Sequence, residues 1–209
     1  MGGIASRMGS LALATGLVGW SATTELAIPG RRRQMVQAGL AAALVALTRV
    51  PLGLRPPALW SGVRVGLPVA AAMAAGVAAS TALPQVRSAM AHRDLPVSPV
   101  GWLTVGIPLG TVWSEEAAYR AALGTAAAAA FGPRGGRLLQ ATAFGLSHIH
   151  DARATGQPAV PTVLATGAAG WLFGWLAQRS GSLAAPMLAH LAVNEAGALA
   201  ALAVQARRA

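Results

Sequence analysis

Seven apolar runs follow one another along the chain: Leu11–Ile28, Met35–Val50, Val65–Leu83, Val100–Phe131, Arg137–His150, Ala159–Ala177 and Leu183–Val204. A helix that crosses a bilayer core needs roughly 20 mostly apolar residues. In lipid, every backbone N–H and C=O must find its partner inside the segment, so a run of this length is helical. The pattern predicts an all-α fold, a polytopic transmembrane bundle of about seven helices, with six or eight as neighbouring solutions. No small-x-small cleavage site follows Leu11–Ile28, which therefore reads as a first span or signal anchor. Val100–Phe131 is too long for an upright span and is expected to tilt, or to break near Pro108 or Gly124. Arg31-Arg32-Arg33, Gln85–Pro99, Gly132-Pro133-Arg134-Gly135-Gly136 and Asp151–Pro158 are expected as loops or turns.

Composition agrees with a membrane solvent. The chain is 55% hydrophobic and 11% charged, against about 25% charged in an ordinary soluble domain. Every basic residue is Arg, and the net charge is +10. The arginines fall almost entirely between the apolar runs, where loops meet water and lipid headgroups. No basic face interleaved with aromatics exists, so nucleic acid is not an expected partner; the lipid bilayer is. The absence of Cys removes disulfides, thiolate chemistry and Cys metal sites. The pairs Gly62/Gly66, Gly106/Gly110 and Gly170/Gly174 have the spacing that lets helices approach closely in lipid.

Within this oily background a few polar groups stand out. Glu115 and Glu116 are two of only six acidic residues, and both lie inside the fourth run. An ionised side chain at bilayer depth costs about 3 kcal/mol by insertion scales, so it marks a functional site by default. Glu116 and Arg120 are four apart and share a helix face. Glu115 points elsewhere, which suits a general base; the plainer reading joins both glutamates and Arg120 in one ion-pair knot. His148 closes the fifth run, with His150 and Asp151 just beyond. His190 and Asn194 share a face of the last run, either as a helix–helix clamp or as two donors with a common target. Glu195 is turned away from them.

Depth arithmetic allows these groups to meet. At 1.5 Å per residue, Glu115 lies about 24 Å below Phe131 on an upright helix. His148 is about 18 Å from Gly136, His190 about 10 Å and Asn194 about 16 Å from Leu183. All four fall in the middle slab of a core about 30 Å thick.

Taken in order, Glu115-Glu116-x-x-x-Arg120, Phe144-x-x-x-His148 and His190-x-x-x-Asn194 resemble the three motifs of the CAAX-protease and bacteriocin-processing (CPBP) family, the type II CAAX prenyl endopeptidases. Gly181-Ser182-Leu183-Ala184-Ala185-Pro186-Met187-Leu188-Ala189-His190 is similar to the lead-in to the third motif. The likeness covers roughly residues 100–204 and implies a catalytic core there, with residues 1–99 as accessory spans of the same integral membrane domain. Tyr119 stands where Phe is common and Ala121 where Gly is common; neither is a polar catalytic position.

The resemblance implies an intramembrane endopeptidase. Glu115 and His148 would activate a water, His190 and Asn194 would donate to the oxyanion, and Arg120 would orient Glu116. No cofactor is required in that version, which is preferred because the His-Glu-x-x-His pattern is absent. The alternative is a zinc-dependent protease with Glu115, His148 and His190 as ligands. A non-catalytic scaffold or immunity-type relative is a further alternative. A small transporter or proton-coupled channel would show repeats or broken helices in paired halves, and neither is visible. Family members cut C-terminal tripeptides from prenylated proteins in eukaryotes. The all-Arg, Ala/Gly-rich composition suggests a bacterial inner membrane, where a hydrophobic peptide or membrane-protein tail is the expected substrate.

Overall fold

The structure is a computed structural model that describes residues 2–22 and 30–207. No strand occurs among the described residues. The helices are α1 (Gly2–Ser21), α2 (Gly30–Thr48), α3 (Ala58–Ser80), α4 (Pro84–Ala91), α5 (residues 99–131), α6 (residues 133–147), α7 (Ile149–Ala154), α8 (Ala159–Ser180) and α9 (Ala184–Ala206). Leaving out the short α4 and α7, seven long helices form the bundle among the described residues, as the apolar runs predict. By length and composition α3, α8 and α9 can each cross a membrane. Leu47, Leu67, Leu164 and Leu199 are exposed on the outside, where a bilayer would solvate them.

The polar stretches differ from the reading given above. Arg31-Arg32-Arg33 belongs to the first turn of α2, not to a loop; residues 23–29 lie outside the described part. Pro84 starts a short helix, α4, inside the expected loop. Gln205 in α9 holds its end, donating to the carbonyls of Met90 at 3.0 Å and Arg93 at 2.7 Å. Asp151 sits in α7, where a loop was expected.

The fourth run breaks neither at Pro108 nor at Gly124. Trp102–Trp113 and Glu116–Leu123 are wound as π-helix, with hydrogen bonds five residues apart, a geometry frequent at functional sites. Pro108 has no N–H to give, so a bond of the α-ladder is already missing there. Ser114 Oγ donates to the Leu109 carbonyl, five residues back, at 2.8 Å. The chain turns instead at Gly132, whose φ of 76° is costly for any residue with a Cβ. Pro133 then restarts the helix at once, its fixed φ suiting a first helical position.

Small residues set the contacts. A Cβ on Gly66 would lie 2.8 Å from Ala185 Cα, and one on Gly145 2.7 Å from the Val163 carbonyl. These positions bring α3 against α9 and α6 against α8. The start of α9 is tied to the α2–α3 connection: Ser182 Oγ donates to the Gly53 carbonyl at 2.7 Å and Leu183 N–H to that of Leu52 at 2.8 Å. With α9 fixed at its head, His190 is carried to the depth of α5.

Candidate active site

The two adjacent carboxylates of α5 have different surroundings. Glu116 is fully enclosed, whereas the Glu115 side chain is 28% exposed. Glu116 Oε1 accepts from His190 Nδ1 at 2.8 Å. A carboxylate can only accept, so Nδ1 carries the proton and Nε2 is the nitrogen left for chemistry. Nε2 lies 3.8 Å from Glu115 Oε2. That oxygen is buried and has no hydrogen-bond partner among the described residues.

On the other side of Glu116, Oε2 is 3.3 Å from Arg120 Nε. The contact is one of charge; it is not aligned as a hydrogen bond. The guanidinium is packed 3.9 Å from the Phe144 ring centre and 5.0 Å from that of Phe173. A desolvated cation–π contact is worth about 2 kcal/mol, and taking the ion out of water costs several kcal/mol. The rings alone do not offset that cost, so Glu116 is needed as counter-charge. Phe173 also stacks on His190, with centroids 5.0 Å apart and planes at 25°. It thereby orients the ring that Glu116 anchors.

His148 stands at the joint between α6 and α7, with φ −90° and ψ 0°. Its Nδ1 is 2.7 Å from the Phe144 carbonyl, one turn back, and its ring meets the Phe144 ring edge-on at 4.7 Å. Asn194 Nδ2 donates to the His190 carbonyl at 3.1 Å. Its amide keeps one N–H and its oxygen for other partners.

Glu115, His148, His190 and Asn194 all line one cavity of about 940 Å³. Ligand sites usually run from about 300 to 1,000 Å³. Leu13 and Leu17 from α1, and Leu40 and Leu44 from α2, form part of its wall. Of the six residues singled out by the motifs, four reach this cavity. Glu116 and Arg120 lie behind it, attached through His190. His150 and Glu195 are not on its wall. Phe173 escapes a sequence reading altogether: it sits in an ordinary apolar run, and its one signal is that the chain holds only three Phe.

Among the described residues, no three His, Asp or Glu side chains come together as a metal-binding group. Glu115, His148 and His190 are not brought together as such a group.

Residues 97–196 match the family model described as type II CAAX prenyl endopeptidase Rce1-like. This region belongs to the CAAX-protease family. The Rce1-like region takes in every motif residue from Glu115 to Asn194 and the whole of α6 to α8. The match supports, for this region, an intramembrane CAAX endopeptidase in general class, a hydrolase of membrane-associated peptides. Searches of curated proteins and of solved structures returned no match. The Rce1-like region ends inside α9, just beyond Asn194 and Glu195.

Proposed function

We infer that the protein is a multi-pass protease of a bacterial plasma membrane that hydrolyses a peptide bond in a hydrophobic peptide or membrane-protein tail. The observation that carries this reading is Glu115 Oε2. It has no hydrogen-bond donor among the described residues and lies 3.8 Å from His190 Nε2, on a side chain that is 28% exposed and lines the cavity. A cavity water at the exposed part of that side chain would have the carboxylate and the imidazole within hydrogen-bond reach. Glu115 takes a proton from that water, which His148 helps to hold from the same cavity. The water oxygen attacks the peptide carbonyl carbon. The oxyanion receives N–H groups from Asn194 and from His190, whose Nε2 donates when both ring nitrogens are protonated. Glu115 then returns the proton to the departing amine as the C–N bond breaks. Glu116 and Phe173 hold the His190 ring in place, and Arg120 holds Glu116.

Leu13, Leu17, Leu40 and Leu44 on the cavity wall suit an apolar substrate segment. Purified protein in detergent, given a quenched library of hydrophobic peptides, is expected to cleave internal peptide bonds, and His148→Ala to lose at least about 100-fold of that rate. Cleavage is expected to persist with strong chelators. Full activity in His148→Ala would remove the assignment of the water-activating pair. Loss of activity on chelation, restored by zinc alone, would replace the metal-free scheme.

A further inference from the structure

Glu115 and His148 stand on different elements, and a pair that activates one water must keep a fixed relation. Glu115 is on α5, whereas His148 is at the joint between α6 and α7. Tyr119 lies four residues beyond Glu115 on α5, close to the same face, and both line the catalytic cavity. The Tyr119 ring is buried and meets the Phe144 ring edge-on, with centroids 5.2 Å apart and planes at 73°. Phe144 is the same ring that bears on His148. The Tyr119 hydroxyl is hydrogen-bonded to the side chain of Ser147, the residue next to His148 and also part of the cavity wall.

The protons along these contacts can be placed. Ser147 Oγ donates to the Phe144 carbonyl at 2.8 Å, so its one proton is spent and its lone pairs are left to accept. The phenol is therefore the donor to Ser147, which gives a buried Tyr O–H the partner it needs. His148 Nδ1 is 2.7 Å from the same carbonyl and 3.3 Å from Ser147 Oγ. A carbonyl can only accept, so Nδ1 carries the proton and Nε2 keeps its lone pair. Tyr119 thus holds in place the oxygen that stands against the protonated edge of His148. This hydroxyl is all that separates Tyr119 from a phenylalanine.

We propose that Tyr119 is a positioning residue: through Ser147, its hydroxyl fixes the orientation of the His148 ring relative to Glu115. The inference rests on the reading of Glu115 and His148 as the water-activating pair. Packing on Phe144 joins α5 to the end of α6, and the hydroxyl sets the rotation of the imidazole at that junction.

Tyr119→Phe is the direct variant, since it removes the hydroxyl and keeps the ring on Phe144. Full-length protein in nanodiscs is followed by melting temperature, by steady-state kinetics on a cleaved peptide, and by nitrogen NMR of ring-labelled histidine, with His148 assigned from His148→Ala. The expected result is a melting temperature close to that of the wild type, a kcat lower by about tenfold with KM unchanged, and displaced His148 ring resonances. Ser147→Ala is expected to act in the same way, and the double variant to fall no further than the worse single one, because both act through one contact. His148 resonances that stay at their wild-type positions in Tyr119→Phe, or losses in kcat that add fully in the double variant, overturn the proposal. A wild type that cleaves no peptide counts against the water-activating pair alone, because the His148 resonances report the tie to Tyr119 in either case.

Discussion

At Glu116 three interactions converge: a hydrogen bond to His190, a charge contact with Arg120, and full exclusion from solvent. Glu116→Gln keeps an acceptor for His190 but leaves Arg120 as an uncompensated buried charge. Breaking a buried pair in this way costs about 3–5 kcal/mol, so a large drop in thermal midpoint is expected. Adding Arg120→Met to Glu116→Gln should recover much of the loss, because the stranded charge is gone. A double variant no better than the single one would show that Arg120 contributes through packing instead. Asn194 lies on the cavity wall. Asn194→Ala should lower kcat by about 100-fold with KM nearly unchanged, as loss of an oxyanion donor does. Steady-state kinetics on one cleaved peptide would separate the two constants. The Glu116–Arg120 contact is legible in the sequence because spacing of four is a local rule. The Glu116–His190 bond joins residues 74 apart and depends on how α5 and α9 cross, which no local spacing specifies.

At the scale of elements, close approach at glycine decides which helices pair. Gly66 and Gly76 both lie in α3, but their surroundings differ. A Cβ on Gly66 meets the Ala185 backbone at 2.8 Å, whereas one on Gly76 meets nothing within 4 Å. Gly66→Ala should destabilise the protein by about 1–3 kcal/mol, since backbone must move. Gly76→Ala should be neutral or stabilising, by up to about 1 kcal/mol, because Ala is the better helix former. Thermal denaturation of the two variants side by side checks the pair. The long runs were readable because a bilayer imposes one length and one composition. The breaks were not. Pro108 looks like an interruption, yet the π-winding of Trp102–Trp113 absorbs it. Gly132 alone makes the turn for which five residues seemed necessary. The short helices α4 and α7 are too polar and too brief to show the apolar periodicity by which a helix is recognised.

For the molecule as a whole, the halves without and with motifs share one cavity. Residues 1–99 carry no motif, yet α1 and α2 supply part of the wall opposite the polar groups. A sequence scan finds polar outliers in apolar runs, but it cannot tell which apolar residues face a cavity and which face lipid, since both are the same residue types. Ala41 illustrates this. It is 5% exposed and lines the cavity, in a helix that resembles any other span. Ala41→Phe should narrow the cavity and reduce kcat/KM for a long hydrophobic peptide by about tenfold, a loss of about 1.4 kcal/mol of transition-state binding, with the melting temperature little changed.

All of these parts serve one claim, that Glu115 is the base of a water-activating site within the membrane. The direct measurement is kcat/KM of Glu115→Gln in nanodiscs, on a peptide the wild type cleaves, with the folded state confirmed by its melting temperature. The account predicts a fall of at least about 100-fold in a protein that remains folded. Cleavage at the wild-type rate by folded Glu115→Gln would contradict it.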